Sequence, residues 1–385
     1  MIELLRTLVA PFASLVLLIS ASGLFNTFVS VRLEMQGYEN ETIGIVISSL
    51  YLGLLVGSLW LDQWITKFGY VRTYVVFASV ISLLVLFQAV WIDPYYWAAL
   101  RFLGGICIAG VFIVIESWLL MRAGPALRGA ILSVYLGMFY AALSVGQLLL
   151  NLSSPLSIYP FCITAGLTAA SILPLMSSKM IVPKIDRAIR LSMMQLFKIS
   201  PLGVLGGVVS GILLGAVYGL VPVYAKEVGM SLSEIGNFMA LLIFGGLSFQ
   251  WPMGRWADRG NRRKTLLIAS IFTAISGTSI GLIHADFPLS LLALAFIFGG
   301  FSFTIYPLSM AHACERLTDE QIVPATGGFV LAYGIGSIMG PLIAPVAMSF
   351  LGSGGLFYFM AAIALLLVVM GRFFVPAQQT NSPEK

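Results

Sequence analysis

The sequence contains very little charge. Only 10% of its 385 residues are Asp, Glu, Lys or Arg, whereas soluble globular proteins carry about 25%. The stretches between its apolar runs are too short to form a soluble domain. Water therefore cannot be the main solvent of this chain, and the net charge of +5 does not indicate a nucleic-acid partner.

Side chains that build metal sites and nucleophilic active sites are also scarce. The two histidines are His284 and His312, and the three cysteines fall inside or at the ends of apolar runs without metal-ligand spacing. No Walker-type phosphate-binding loop is present. We therefore expect no metal and no cofactor. An embedded enzyme, which would need a clustered nucleophile and base, is disfavoured.

Twelve apolar runs dominate the chain. A helix needs roughly 20 residues to cross about 30 Å of hydrocarbon, and each run reaches that length. We predict transmembrane helices at residues 8–31, 43–61, 73–92, 97–122, 130–152, 158–178, 201–225, 234–254, 265–284, 289–312, 324–350 and 356–375. The first run has no small-residue cleavage site, so it is expected to be retained as a helix.

Basic residues concentrate in alternate loops. About 18 of the 21 Lys and Arg residues, all except Arg32, Lys226 and Arg101, lie near the N-terminus, in or beside the loops after helices 2, 4, 6, 8 and 10, or in or just before the C-terminal tail. Loops rich in Lys and Arg stay on the cytoplasmic side. Both termini are therefore predicted to be cytoplasmic, and the chain to be a multi-pass protein of the inner (plasma) membrane.

The two halves of the chain resemble each other. Gly104-Gly105 recurs as Gly299-Gly300, and Gly146-Gln147 recurs as Gly340-Pro341, at offsets of roughly 195 residues. Duplicated bundles with a substrate path between them are typical of transporters. The predicted units are an N-terminal six-helix bundle at 1–178, a cytoplasmic linker at 179–200, a C-terminal bundle at 201–375 and a cytoplasmic tail at 376–385.

Two loops carry a repeated motif of glycine, aspartate and basic residues. After helix 8 the chain reads GRWADRGNRRK, in which Gly254 would let two helices approach closely and Asp258 would accept hydrogen bonds from a helix N-terminus. The basic members, which can pair with acids on the adjoining helix, are Arg259, Arg262 and Arg263. The degenerate copy after helix 2 consists of Gly57, Asp62, Lys67, Gly69 and Arg72. We interpret both loops as a cytoplasmic gate; alternatively, they only fix the topology.

These motifs resemble the signature of the major facilitator superfamily, and ALRFLGG at 99–105 is similar to its Arg-x-x-x-Gly pattern in helix 4. Segments such as IVIESWLL (113–120) and QWPMGRWAD (250–258) look closer still to its YcaD-type subgroup. The resemblance covers the whole chain. It implies an all-α integral membrane protein with 12 transmembrane helices in two six-helix bundles related by pseudo-twofold symmetry. One departure, Gly146-Gln147 in place of the Gly-Pro pair of family antiporters, leans against drug/proton exchange.

Four ionisable residues lie within or at the ends of apolar runs. Arg101 either binds an anionic solute group or tunes a nearby proton site, or it snorkels to the outer interface. Glu116 either accepts a salt bridge from Lys67 or Arg72, or it is a protonatable coupling site. Glu315 is the counterpart acid for Arg259 or Arg262, and His312 is either a proton relay or a hydrogen-bonded filler.

Polar residues recur at helical spacing in the inner helices. In helix 5, Ser133, Tyr140, Ser144, Gln147 and Asn151 share one face. Lipid penalises such faces, so they should point inward, although hydrogen bonding between helices would also explain the serines. Helices 3 and 12 have no comparable stripe. The predicted substrate cavity is formed by Asn26, Tyr51, Arg101, Tyr140, Ser144, Gln147, Tyr306 and Tyr333.

The sequence therefore predicts a secondary active transporter that moves a small organic solute by alternating access. We expect coupling to H⁺, a monomer in membrane lipid and no catalysis. Two alternatives stay open: an efflux antiporter for drugs or metabolites, and a receptor on the same fold that does not transport.

Overall fold

The structure is a computed structural model that describes residues 2–176, 193–283, 288–317 and 319–373. Within these ranges it describes all side chains except those at 2–8, 62–63, 65–66, 120–130, 132, 288, 319–320 and 322–324. The predicted tail at 376–385 and most of the predicted linker lie outside the described residues. A short helix, Met193–Ile199, belongs to the part of the linker that is described.

Twelve helices among the described residues are long and apolar enough to cross a membrane, which confirms the prediction. They are α1 Val9–Met35, α2 Asn40–Leu61, α3 Tyr70–Val90, α4 Pro94–Leu119, α5 Ser133–Leu152, α6 Tyr159–Met176, α7 Pro201–Glu227, α8 Leu232–Arg259, α9 Arg262–Leu282, α10 Leu289–Cys314, α11 Ala325–Leu351 and α12 Gly355–Phe373. Their bounds differ from the predicted ones by a few residues, because hydropathy does not register the polar first and last turns of a helix.

Helical backbone continues without interruption from α4 into α5, over Pro94–Leu148. A straight helix would place Glu116 and Tyr135 about 28 Å apart, at 1.5 Å per residue. Their side chains are instead joined by a hydrogen bond of 2.9 Å. The chain therefore reverses direction between these two residues, and α4 and α5 are antiparallel neighbours.

Glycines bring the helices of each half into contact in a repeated pattern. In the first half, a Cβ at Gly53 of α2 would overlap the Phe102 carbonyl oxygen of α4, and a Cβ at Gly105 would overlap the Leu50 carbonyl oxygen. In the second half, Gly245 of α8 and Gly299 of α10 meet the facing carbonyls in the same way. Small residues at interfaces let membrane helices approach closely. The pairs α2–α4 and α8–α10 thus repeat one packing motif.

The same symmetry relates α1–α5 to α7–α11. A Cβ at Gly23 would lie 2.6 Å from the Leu143 carbonyl oxygen. In the second half, Gly211 faces the Tyr333 carbonyl oxygen of α11. These contacts build two six-helix bundles related by a pseudo-twofold axis. They also refine the sequence repeat, because Gly105, not Gly104, is the structural counterpart of Gly299.

The helix α10 is bent at its middle. Helical structure stops at Ser302 and resumes at Ile305. Pro307 has no N–H group, so the carbonyl four residues earlier, that of Phe303, loses its helical partner. Gln250 of α8 donates a hydrogen bond of 3.3 Å to that carbonyl instead. The bend therefore has an identified cause.

The two halves touch each other toward one end of the molecule. We call the end that carries Ile2 and Phe373 the terminal end, and the opposite end, with the turn between α1 and α2, the distal end. Near the distal end, Asn40 donates a hydrogen bond of 2.9 Å to Glu227 across the halves. Deeper in, Ser48 of α2 donates to the Ile338 carbonyl of α11 at 3.0 Å. These contacts close the distal side of the interface.

Candidate functional site

A cavity of about 330 Å³ lies between the two halves. Its wall is built from α1, α2, α4 and α5 of the first half and from α7, α10 and α11 of the second. None of the described residues of α3, α6, α9 or α12 belongs to this wall. That division agrees with the absence of polar stripes in predicted helices 3 and 12.

Glu116 and Tyr135 form the polar pair of the cavity. Both line its wall, and the Tyr135 hydroxyl donates a hydrogen bond of 2.9 Å to Glu116 Oε1. Among the described side chains, Glu116 forms no ion pair, so its expected salt bridge with Lys67 or Arg72 is wrong. The reason is its direction: Glu116 points into the cavity, where water reaches it, while Lys67 and Arg72 are exposed at the terminal end.

Tyrosine rings form much of the remaining wall. The predicted residues Tyr51, Tyr140, Tyr306 and Tyr333 all line the cavity. Tyr306 and Tyr333 meet edge to face at 5.3 Å between ring centroids. The bend in α10 lies immediately before Tyr306, so the bend helps to set where this ring sits. The cavity is consequently bordered by aromatic faces from both halves.

Asn26 lines the cavity and connects it to a buried arginine. Arg101 Nη2 donates a hydrogen bond of 2.8 Å to Asn26 Oδ1, and the guanidinium lies 5.7 Å from the Phe25 ring centroid. Only 4% of Arg101 is exposed, and it is not part of the cavity wall. The structure therefore places Arg101 behind Asn26 rather than in the cavity. Its Nε atom has no hydrogen-bond partner among the described residues.

Two further predicted cavity residues lie beside the cavity. Gln147 is 1% exposed and accepts a hydrogen bond of 2.5 Å from Thr27. Ser144 donates to the Ala240 carbonyl of α8 at 2.7 Å, which joins the two halves. Asn151, at the distal end of α5, is exposed. The polar stripe of α5 thus serves three purposes: cavity wall, packing within one half and contact between halves.

The motif loops lie at the terminal end. Arg262 is 3.2 Å from Asp258 and 3.5 Å from Glu315, and it also donates to the Ala311 carbonyl at 3.0 Å. Arg263 donates to the Gly371 carbonyl at 2.6 Å. Both arginines thereby hold α9 against neighbouring helices of the same half.

Other members of the motif behave differently. A Cβ at Gly254 would meet no described atom within 4 Å, so the expected close helix approach there is wrong, because no described helix packs against that face of α8. At Gly57 a Cβ would lie 2.9 Å from the Ile106 carbonyl oxygen. Arg259 is exposed, and the Asp62 side chain lies outside the described ones.

His312 sits at the terminal end of α10 and is only 3% exposed. Its Nδ1 atom is 3.4 Å from Glu315 Oε2, but the two atoms are not aligned for a hydrogen bond. His312, Glu315 and Arg262 therefore form one cluster, which does not extend to the cavity wall. His284 lies outside the described residues.

Sequence reasoning missed several wall residues. Tyr218 of α7 and the pair Phe112 and Phe139 line the cavity, and Tyr135 is the partner of Glu116. Tyr218 could have been found, because it is the one large polar side chain in the middle of a glycine-rich, almost fully buried helix. The phenylalanines carry no such signal, since lipid-facing positions use the same residue.

Comparisons with known proteins agree with this architecture. A model of the Major Facilitator Superfamily matches residues 203–385. The chain is 32% identical over 371 residues to a protein of Salmonella arizonae, covering 96% of this chain and 95% of that relative. The chain therefore belongs to the major facilitator superfamily of membrane transporters. The Salmonella relative is named uncharacterized MFS-type transporter YcaD, which places the chain with the YcaD-type members.

Solved structures show the same fold. A D-xylose–proton symporter matches with a TM-score of 0.74 and 16% identity, over 96% of this chain and 97% of that one. The nucleoside transporter NupG matches with a TM-score of 0.72 and 16% identity, over 98% and 100%. At these identities the likeness concerns the fold alone.

Proposed function

We propose that this protein is a secondary active transporter that moves a small organic solute through the central cavity by alternating access, and that it is not an enzyme. One observation carries the proposal. A cavity between two symmetry-related halves is closed toward the distal end by direct contacts between those halves, such as the hydrogen bond from Ser48 to the Ile338 carbonyl. A relative motion of the halves would exchange which end is closed.

The proposed setting is the inner membrane of a bacterium, with both termini in the cytoplasm and the protein acting as a monomer. The bacterial relative and the distribution of Lys and Arg among the loops support this orientation. In that orientation the terminal end is cytoplasmic, and the contacts of Asn40 with Glu227 and of Ser48 with Ile338 close the side of the interface away from the cytoplasm.

We further propose that H⁺ drives transport through Glu116. It is the single acid among the described residues of the wall, it is reached by water, and its one hydrogen-bond partner is the neutral Tyr135. Such a carboxylate can exchange a proton with the cavity without breaking an ion pair. Transport then depends on the pH gradient.

The test begins with a thermal-shift screen of the purified protein against metabolites, siderophores, sugars and drugs. Flux of a stabilising compound is then measured in proteoliposomes under an imposed pH gradient. We expect the gradient to accelerate flux more than tenfold, and Glu116→Gln to abolish the acceleration, because the amide cannot take up a proton. A protonophore serves as the control.

Three outcomes separate the alternatives. Flux that Glu116→Gln leaves unaltered contradicts proton coupling at this residue. If solute flux is accelerated only by a pH gradient that drives solute out of the cytoplasmic side, the result favours the efflux antiporter. Binding without any flux supports the receptor.

A further inference from the structure

We propose that the solute bound in this cavity is an organic monocation with an aromatic or other planar apolar body, and that Glu116 receives its positive group. This inference rests on the proposed function, in which the cavity is the transport site. It names a substrate class that neither the family nor the relatives specify.

The charge of the wall favours a cation. Glu116 is its single acid, and no Lys or Arg belongs to it among the described residues. Tyr135 occupies Oε1 by a hydrogen bond of 2.9 Å, which leaves Oε2 for the solute. A carboxylate inside a membrane protein needs a positive partner or a proton. A solute with a negative group would be repelled here.

The rest of the wall is largely aromatic. Aromatic rings from both halves surround the cavity: Phe112, Phe139, Tyr140, Tyr218, Tyr306 and Tyr333. Aromatic faces attract cations and stack on planar apolar groups. The volume of about 330 Å³ falls at the small end of the range for drug-sized ligands.

The wall suits strongly hydroxylated solutes poorly. The wall hydroxyl of Ser22 already donates to the Leu18 carbonyl at 3.0 Å, and that of Ser337 to the Tyr333 carbonyl at 2.9 Å. A sugar needs a hydrogen-bond partner for most of its hydroxyls, since each unpaired one costs about 1–3 kcal/mol. The described wall offers Asn26 and the hydroxyls of six tyrosines, but most of its surface is apolar, so a solute with an apolar body covers it better than a sugar does.

Arg101 and Asn26 determine the orientation of the solute. Arg101 stands behind Asn26 and holds its Oδ1, so the two Nδ2 hydrogens of Asn26 remain for an acceptor in the cavity. The buried guanidinium makes that region unfavourable for a second cation. The positive group of the solute therefore lies toward Glu116, and a carbonyl or hydroxyl of the same solute fits beside Asn26.

The experiment uses three probes with one carbon skeleton and different head charges: phenylbutylammonium, phenylbutanol and phenylbutanoate. Binding to the purified full-length protein is measured by calorimetry in detergent, with empty micelles as the blank. We expect the ammonium to bind at least tenfold more tightly than the alcohol, and the carboxylate not to bind at millimolar concentration.

Variants then assign the preference to the residues. Glu116→Gln should weaken the ammonium at least tenfold and leave the alcohol unchanged. The matched control is Glu39→Gln, which removes an exposed acid at the turn before α2 and should change neither. Tyr306→Phe should retain ammonium binding, whereas Tyr306→Leu should weaken it, because only the ring face is needed. Unfolding temperatures check that each variant is folded.

Three results would overturn the inference: tighter binding of the carboxylate than of the ammonium, no binding of any probe, or an ammonium preference that survives Glu116→Gln. Uptake into proteoliposomes separates this inference from the proposed function. If the ammonium probe binds selectively but never crosses the membrane, the result contradicts transport and supports the preference for cations. If a neutral or anionic solute is transported instead, the result supports transport and refutes the preference for cations.

Discussion

Arg101 is a buried cation whose described hydrogen-bond partner is a neutral amide. The guanidinium is 4% exposed, donates to Asn26 Oδ1 at 2.8 Å and leaves Nε without a partner. A hydrogen bond to a charged group contributes about 1.5–3 kcal/mol. Much of the stability of this region therefore depends on one side chain of α1.

Replacing Asn26 by leucine tests that dependence. Asn26→Leu should destabilise the protein by about 2 kcal/mol, since the buried guanidinium loses its partner, and should lower the unfolding temperature in detergent. Ser22→Ala, one turn away, is the control and should have a smaller effect, because the Ser22 hydroxyl donates only within its own helix. Equal unfolding temperatures for Asn26→Leu and the parent would refute this account of Arg101.

Sequence periodicity predicted which residues point inward but not how deep they lie. Tyr51, Tyr140, Tyr306 and Tyr333 line the cavity as expected. Arg101 also points toward the cavity but does not reach it, because Asn26 of α1 lies between the guanidinium and the cavity. The rotation and separation of two neighbouring helices decide such layering, and a single helical period carries no information on either.

At the scale of helices, packing depends on glycines that face carbonyl oxygens. Gly53 in α2 and Gly245 in α8 occupy corresponding positions in the two halves, and each faces a carbonyl of the fourth helix of its bundle. The sequence shows 39 glycines but does not tell which of them meet a backbone. Gly254 illustrates this limit, because it belongs to a recognisable motif and yet an added Cβ there would meet no described atom within 4 Å outside its own helix.

Gly53→Ala tests the packing motif. The added methyl would overlap the Phe102 carbonyl oxygen, a backbone atom that cannot rotate away, so we expect a loss of about 1–3 kcal/mol from overpacking. Gly166→Ala in α6 is the matched control. Its methyl would meet open space, and alanine favours the helix by about 1 kcal/mol. Unfolding temperatures that fall equally in both variants would contradict a packing origin.

At the scale of the whole molecule, hydropathy was sufficient to find the architecture. The predicted seventh helix, 201–225, is Pro201–Glu227 in the structure, and the other spans agree comparably. The contacts between halves could not be predicted from the sequence, because Gly44, Ser48 and Ser144 meet carbonyls far away in sequence. Nothing in the local pattern distinguishes such residues from those that pack within one half.

Gly44 offers a test of the closed distal end. A Cβ there would overlap the Pro341 carbonyl oxygen of the other half, so Gly44→Ala should penalise closure without disturbing either bundle. A penalty of about 1–3 kcal/mol shifts a two-state ratio roughly 5- to 150-fold. Spin labels at the exposed positions Tyr95 and Leu289, in a Cys162→Ser background, should report a longer distance. With Gly166→Ala the distance should stay the same, and an unchanged distribution for Gly44→Ala would argue against the mechanism.

The amide contact between Gln250 and Phe303 ties the curvature of one helix to the position of another. The carbonyl freed by Pro307 finds its partner on α8, and Tyr306 follows three residues later. Any sliding of α8 must stretch or release that single bond, which changes the direction in which α10 continues. Fluorine placed on the Tyr306 ring of α10 would therefore give a magnetic-resonance signal whose frequency follows the movement of α8, to which α10 is joined by the Gln250 hydrogen bond.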